Sequence, residues 1–286
     1  MTAKSTTHSF GILYVVATPI GNLQDMTVRA VSILKTVDKI AAEDTRHSTH
    51  LLATYGISTP LISLHEHNEM ARATELIAHL KAGQSIALIS DAGTPLISDP
   101  GYVLVKHVRA EGIRVEPIPG ACAAIAALSV SGLPTDRFIF EGFLSSKAAS
   151  RKAHLERLTL EPRTLVFYEA PHRILESIKA MQAAWGGARE IVIARELTKL
   201  FETVYAGTID QVIDWMKQDK NQQRGEIVIV VAGNTAAPAS EKTISSDHVL
   251  RVLLESLSVK EAALCAAKIT GEKKNELYQR ALEIKK

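Results

Sequence analysis

The sequence predicts an α/β protein: two α/β domains followed by a small C-terminal helical unit. Three observations carry that prediction. Apolar, β-branched runs alternate with stretches of helical periodicity from residue 12 to residue 233. Several of those runs end in polar loops rich in Gly and Pro. The chain then crosses residues 234–246, NTAAPASEKTISS, which lack apolar periodicity, and enters a helical tail. With 286 residues and 46% hydrophobic content, the chain can bury a core of that size.

The elements follow in order. ILYVVAT (12–18) reads as the first strand, Val28, Val31, Leu34 and Val37 recur at steps of three as a helix would require, and KIAAED (39–44) reads as the next strand. LISLH (61–65), SIALIS (85–90) and VEPIP (115–119) continue the series, each separated by enough chain for a helix. Residues 11–134 are therefore expected to form an open, mostly parallel sheet with right-handed crossovers. A second series, FIFEGF (138–143), RTLVFYEA (163–170), EIVIAREL (190–197), ETVYAGT (202–208) and GEIVIVVAG (225–233), predicts a second domain over residues 135–233. ELTK and ETVYAG lie too close for a crossover helix, so an antiparallel hairpin and a mixed sheet are expected there.

Past the 234–246 linker, Asp247 is placed to cap a helix containing Val249, Leu250, Val252, Leu253 and Leu254. Lys260 to Ile269 and Asn275 to Ile284 form two further helical runs around Thr270-Gly271-Glu272, a helix-turn-helix-like arrangement over 247–286. From residue 260 to 286 there are seven Lys or Arg against four Glu. That excess suits nucleic acid, and equally a solvated bundle covering the domain or a partner subunit.

Composition excludes several classes. Lys and Arg number 33 against 31 Asp and Glu, so the whole chain is no polybasic coat. Cys122 and Cys265 belong to no Cys/His cluster, which argues against a metal and fits a reducing cytoplasm. No stretch resembles a leader or a membrane span, so a soluble, cytoplasmic protein is expected.

Four loops hold the chemistry of the first half. In ATPIGNL (17–23), Gly21 and Asn22 after Pro19 form a tight turn that brings backbone close to a ligand, although a purely structural turn would look the same. In SDAGTPLISDPG (90–101), Asp91, Ala92, Gly93, Thr94 and Pro95 make a rigid polar loop in which backbone amides suit a carboxylate and Asp91 an amino group or ribose hydroxyl; Asp99 reads as a helix cap or turn residue. In PIPGACAA (117–124), Gly120, Ala121 and Cys122 open a helix with little side-chain bulk, which serves helix packing as well as ligand approach; Cys122 reads as a small wall residue without a His partner. AEDTRHS (42–48) gathers Glu43, Asp44, Arg46 and His47, with an internal Asp-Arg ion pair as the plain alternative to a functional role. HEHN (65–68) lines the next strand end as polar substrate-side residues, and two His without a further ligand cluster do not make a metal site. In the second half, FYEAPHR (167–173) offers Phe167, Tyr168 and Arg173, ARELTK (194–199) offers Lys199, and SKAASRKAHLER (146–157) has four Lys or Arg against one Glu.

The order TPIGNL, AEDTR, SDAGTPLISDPG, PGACA, FYEAPHR, ARELTK, RGE resembles the tetrapyrrole-methylase-like (class III) S-adenosylmethionine methyltransferases, and within them the branch that methylates ribosomal RNA. The resemblance covers residues 11–233 and the tail. It implies a cofactor cleft between the two α/β domains, S-adenosylmethionine as cofactor, and homodimerisation. The implied substrate is the ribose 2'-hydroxyl of a decoding-region cytidine, position 1402 of 16S rRNA, in the small ribosomal subunit. On this reading Pro19, Gly21, Asn22, the 91–95 and 120–122 segments and an aromatic from Phe167 or Tyr168 hold the cofactor. Glu43, Asp44 and Arg46 would carry catalysis, with Glu43 or Asp44 taking the hydroxyl proton. Arg46, His47, Arg173, Lys199, Lys273 and Lys274 would meet RNA. Two other readings stay open: a methyltransferase acting on a tetrapyrrole or other small molecule, and a non-catalytic RNA-binding assembly module.

Overall fold

A computed structural model describes residues 10–65, 68–234 and 245–285. The chain divides into two compact units, Met1–Gly233 and Asn234–Lys286.

The first unit begins with five strands, β1 (Leu13–Val16), β2 (Lys39–Ala42), β3 (Leu61–Ser63), β4 (Ile86–Ile89) and β5 (Val115–Ile118), joined by α1 (Val28–Thr36), α2 (Thr45–Thr54), α3 (Glu69–Lys81) and α4 (Tyr102–Ala110). They form one sheet in the order β3-β2-β4-β1-β5, and every neighbouring pair is parallel. Such a sheet must be covered on both faces. One face packs Val16, Ala42, Ala87 and Ile89 against Ala30 and Leu34 of α1 and Leu52 of α2, and the other packs Leu13, Ala41, Ile86 and Leu88 against Leu76 of α3 and Leu104 of α4. The periodicity across α1 misplaces one residue. Val28 is 88% exposed because it is the first residue after the Thr27 cap, while the helix turns Ala30 and Leu34 inward. Helix α4 takes its cap from afar: its start, Gly101, has no side chain, and the buried Glu69 carboxylate accepts from Leu104 N–H at 3.1 Å.

Helix α5 (Ala123–Ser131) ends at Gly132 in the left-handed conformation and leads to the second sheet. Its strands are β6 (Phe138–Phe143), β7 (Thr164–Glu169), β8 (Glu190–Arg195), β9 (Thr203–Thr208) and β10 (Ile227–Val231), in the order β6-β7-β10-β8-β9. β6 runs parallel to β7 and the remaining pairs are antiparallel, including the expected β8–β9 hairpin. One face of this sheet packs on α6 (Ala148–Arg157), α7 (Ile174–Trp185) and α8 (Ile209–Gln218), around Phe167, Ile178, Ile193 and Val212. The other face sets Val166, Val192, Ala194, Val228 and Val230 against α5 and against Ile20, which follows β1. That shared core joins the two sheets in a single compact unit; the expected division at 134/135 falls in the connection between α5 and β6.

The second unit holds α9 (Ser246–Leu254), α10 (Val259–Thr270) and α11 (Lys274–Ile284), packed around Leu250, Ala263, Ala266 and Leu277. Ser245, not Asp247, caps α9: its hydroxyl accepts from His248 N–H at 3.1 Å, and Asp247 lies in the first turn facing Arg280. Ser258 and Glu261 form a reciprocal capping box on α10, and Gly271 closes it in the left-handed conformation.

Candidate active site

The carboxyl ends of β1, β2, β4 and β5 open towards the inner face of the second sheet, and between them lies a cavity of about 450 Å³. This is where open α/β sheets place ligands, and the volume suits a small organic molecule. One wall comes from the first sheet: Ile20, Glu43, Asp91 to Thr94, Ile97 to Asp99, Cys122 and Ala123. The other comes from the second: Phe143, Tyr168 to Pro171, Ala194, Leu197 and Glu226 to Val228.

Three sequence segments lock together behind the first wall. Thr18 and Gly93 exchange backbone hydrogen bonds at 2.8 and 3.1 Å, which ties the β1 loop to the 90–101 loop. Thr94 Oγ1 donates to Ala121 O at 2.9 Å, and Asp44 N–H donates to Asp91 Oδ1 at 3.1 Å. The 90–101 loop itself is held in uncommon backbone conformations: Gly93 at φ +83° and Gly101 at +126°, but also Leu96 at +73° and Ser98 at +67°. A non-glycine residue there costs about 1–3 kcal/mol, and such strain concentrates at functional sites. Gly120 has a different reason: a Cβ there would stand 2.9 Å from Ala17 Cβ, so glycine lets this wall close onto the end of β1.

The expected residues separate into those that face the cavity and those that support it. Glu43, Asp91, Ala92, Gly93, Thr94, Cys122 and Tyr168 line it. From ATPIGNL the lining residue is Ile20; Pro19 is buried, and Asn22 Oδ1 accepts from Gln24 N–H at 3.0 Å to cap a short helical turn. Pro95, Gly120 and Ala121 shape the wall from behind. Phe167 is fully buried in the core on the far side of its sheet, because alternate residues of β7 point to opposite faces; of the aromatic pair only Tyr168 reaches the cavity. Its hydroxyl accepts from Ala124 N–H at 3.2 Å, and burial and the adjoining Cys122 push its pKa well above the usual phenol value, so it stays protonated.

The cations expected at the site are spoken for. Asp44 caps α2, accepting from Arg46 N–H at 2.8 Å and His47 N–H at 3.4 Å, and pairs with the Arg46 guanidinium, which is 91% exposed. Those hydrogen bonds from Arg46 hold Asp44 below the ordinary carboxylate range. Arg173 is paired at 2.8 Å with the buried Glu169, and Lys199 bridges Glu196 at 2.9 Å and Glu226 at 3.0 Å while its stem lies over Gly21. Lys199 and Arg173 are thus internal fasteners. His47, Lys273 and Lys274 are exposed. His65 is described and its N–H bonds Asn68 Oδ1 at 2.8 Å, whereas Glu66 and His67 of HEHN lie outside the described residues.

Asp99 reads from the sequence as a helix cap or a turn residue; Gly101, not Asp99, starts α4, and Asp99 lies in a bend that also faces the cavity beside Asp91. Burial and the neighbouring Asp91 raise its pKa, against a hydrogen bond from Ser90. The signal available was spacing alone, Asp91 and Asp99 bracketing one loop at a strand end. Among the described residues no group of three or more His, Cys, Asp or Glu could hold a metal ion, and no helix is long and apolar enough to cross a membrane.

Two sheets with a cavity at the carboxyl ends of the first define the class, and comparison agrees: residues 12–213 match the Tetrapyrrole (Corrin/Porphyrin) Methylases. The fold is shared with uroporphyrin-III-C-methyltransferase from Thermus thermophilus (TM-score 0.55, 20% identity, 78% of this chain and 94% of that one) and with a diphthine synthase (TM-score 0.57, 14% identity, 77% and 89%). Residues 241–285 match the RsmI C-terminal HTH domain. Ribosomal RNA small subunit methyltransferase I of Pseudomonas aeruginosa is 55% identical over 96% of this chain and 98% of its own, and that of Escherichia coli O157:H7 is 50% identical over 98% of each. The chain belongs to the ribosomal RNA small subunit methyltransferase I family, a methyltransferase branch of the tetrapyrrole methylases.

Proposed function

We propose that the protein transfers a methyl group from S-adenosylmethionine to the ribose 2'-hydroxyl of the decoding-region cytidine, position 1402, of 16S rRNA in the small ribosomal subunit. The observation that carries this reading is the near-full-length identity to ribosomal RNA methyltransferases, which extends through the basic helical tail. The cavity fits the cofactor in size and in donor set. Carboxylates at Asp91 and Asp99 suit its cationic groups, the amides opening α5 suit its carboxylate, and Ile20, Ala123, Ala194, Leu197 and Val228 suit an adenosyl body. When bound, S-adenosylmethionine supplies an electrophilic methyl on a positively charged sulfur.

The chain's contribution is alignment, exclusion of water and removal of a proton. Glu43 faces the cavity at the end of β2 and is placed to accept the hydroxyl proton as the oxygen gains the methyl group. Asp44 and Arg46 shape the loop that aims Glu43, and the exposed Arg46 and His47 extend towards an RNA backbone. Lys273 and Lys274 are exposed at the start of α11, where positive charge opposes the helix dipole; a phosphate partner accounts for cations placed there. A homodimer is supported by α5, which is apolar all round yet leaves Ile125 and Val130 half exposed, and by edge strand β9, which α5 contacts and which exposes Val204. On this reading the protein works in the cytoplasm with the ribosome.

The test is methyl transfer from radiolabelled S-adenosylmethionine to small ribosomal subunits lacking the modification, with the labelled nucleotide mapped. Label on the 2'-oxygen of that cytidine is expected. Cofactor binding without transfer to the subunit would move the reading to a tetrapyrrole or other small acceptor, and RNA binding without cofactor binding to an assembly module.

A further inference from the structure

The charges around the cavity are arranged unusually for a protein whose relatives act on a polyanion. Among the described residues its lining contains five carboxylates, Glu43, Asp91, Asp99, Glu169 and Glu226, and no Lys, Arg or His. Glu169 is neutralised by Arg173 and Glu226 by Lys199. Among the described residues Asp91 and Asp99 have no ion pair, and they sit together: the Asp91 charge helps to raise the Asp99 pKa. The carboxylates are not clustered as metal ligands, so a divalent ion is not their counter-charge. The nearby cations point away or are occupied, Arg46 standing 91% exposed outside the lining. Such a cavity repels phosphate when empty.

We infer that the site is charge-gated: the Asp91–Asp99 pair admits a cationic adenosyl ligand first, that ligand's charge then allows the RNA acceptor to enter, and loss of the charge on methyl transfer loosens the RNA. The inference rests on the proposed cofactor and acceptor. The balance is simple: the sulfonium gives up its methyl and becomes a neutral thioether, the hydroxyl oxygen gains the methyl, and its proton passes to Glu43 and from there to solvent. Once Glu43 is ionised again, the product state returns the cavity to its repulsive charge while methylated RNA is still bound. A backbone link helps the order, since Asp91 also accepts the Asp44 N–H and so holds the acceptor-side loop while facing the cavity. One unit of charge, acting over half the span of a cavity this size (roughly 5 Å) at an effective dielectric of about 40, changes affinity by about tenfold.

The experiment uses the full chain and unmethylated small ribosomal subunits, with affinity measured alone, with S-adenosylhomocysteine, and with sinefungin, which has an amine cation in place of the sulfonium and cannot react. Calorimetry first establishes that both ligands bind; if neither does, the proposed cofactor itself is wrong and the inference falls with it. With both bound, sinefungin is expected to tighten subunit binding about tenfold over S-adenosylhomocysteine. Equal tightening by the two would overturn charge gating while leaving the proposed reaction standing. Asp99→Asn, checked for a native melting temperature, should shrink the gap to about threefold and strengthen subunit binding without ligand. An unchanged gap would remove Asp99 from the gate. Should that variant fail to fold, the two-ligand comparison on the unaltered protein still decides.

Discussion

Lys199 separates a structural from an RNA-binding role, and Lys199→Ala tests which it has. The side chain is 26% exposed, its ammonium lies 2.9 Å from Glu196 Oε1 and 3.0 Å from Glu226 Oε2, and its stem occupies the space a Cβ on Gly21 would need. Each ion pair, partly in solvent, contributes about 0.2–1 kcal/mol. Removing the lysine also leaves the half-buried Glu196 with the Glu226 N–H but no ammonium, at about 1 kcal/mol. A loss of about 1–3 kcal/mol is expected, lowering the melting temperature by roughly 3–10 °C for a unit of this size. The pH dependence has a definite sign. Burial pushes Glu196 up, but the Glu226 amide and the Lys199 ammonium outweigh it and bring its pKa below the ordinary value, so its stabilisation holds above the unfolded pKa and fades as pH falls through the folded one. Burial lowers Lys199, yet its two carboxylates leave it net raised, so its share fades as pH rises through the folded pKa. The melting difference between wild type and Lys199→Ala should therefore be widest near neutrality and close towards both extremes. Subunit affinity should keep its salt dependence. A native melting temperature, with a slope of log affinity against log salt shallower by about 0.7, would show that Lys199 holds a phosphate and refute this assignment.

Three further outcomes follow from the same geometry. Phe167→Ala should cost about 3–5 kcal/mol in unfolding experiments, whereas Tyr168→Phe should cost about 1 kcal/mol and act mainly on cofactor affinity; a conservative Phe167→Leu that weakens cofactor binding more than Tyr168→Phe would reverse their roles. Gly101→Ala should destabilise by about 2 kcal/mol or more, since φ is +126° and the new Cβ would stand 2.8 Å from Leu88 Cδ2; an unchanged denaturation midpoint would count against the loop geometry. S-adenosylmethionine affinity should fall on acidification through the raised Asp99 pKa, because the protonated acid no longer attracts a cation, with Ser90, Asp91 and Tyr168 the groups around it. S-adenosylhomocysteine should respond less, and equal slopes in calorimetry would contradict that role.

The strands were legible because period and length agree. In β10 five consecutive buried residues, Ile227 to Val231, read as a central strand, and the short link from Arg195 to Thr203 leaves room only for a hairpin. Helix faces were less legible where a cap fixes the phase. Val28 fits the apolar step of three, yet Thr27 starts the helix so that this residue projects outwards; Asp247 has a capping side chain, yet Ser245 reaches the amide first. Capping is decided by which side chain meets a free N–H, and one or two residues of ambiguity cost sequence reasoning the register.

The site shows the same division between type and partner. Motif composition places Glu43, Asp91, Gly93, Cys122 and Tyr168 at one cavity because each follows or ends a strand, and strand ends of neighbouring parallel strands converge. Composition could not show which charges cancel. Arg173 and Lys199 carry the same formal charge as Lys273 and Lys274, but the first two are consumed by Glu169, Glu196 and Glu226, each brought in by strand pairing or a turn. Asp99 differs from Asp44 in the opposite sense: Asp44 meets helix amides and a guanidinium that hold its pKa low, whereas Asp99 meets burial and a second carboxylate that raise it. A count of Lys and Arg therefore misjudges the cleft. Among the described residues its lining carries carboxylates and no cation, and Arg46 stands exposed outside it, so the charge that matters for a ligand is the one left unpaired in the lining.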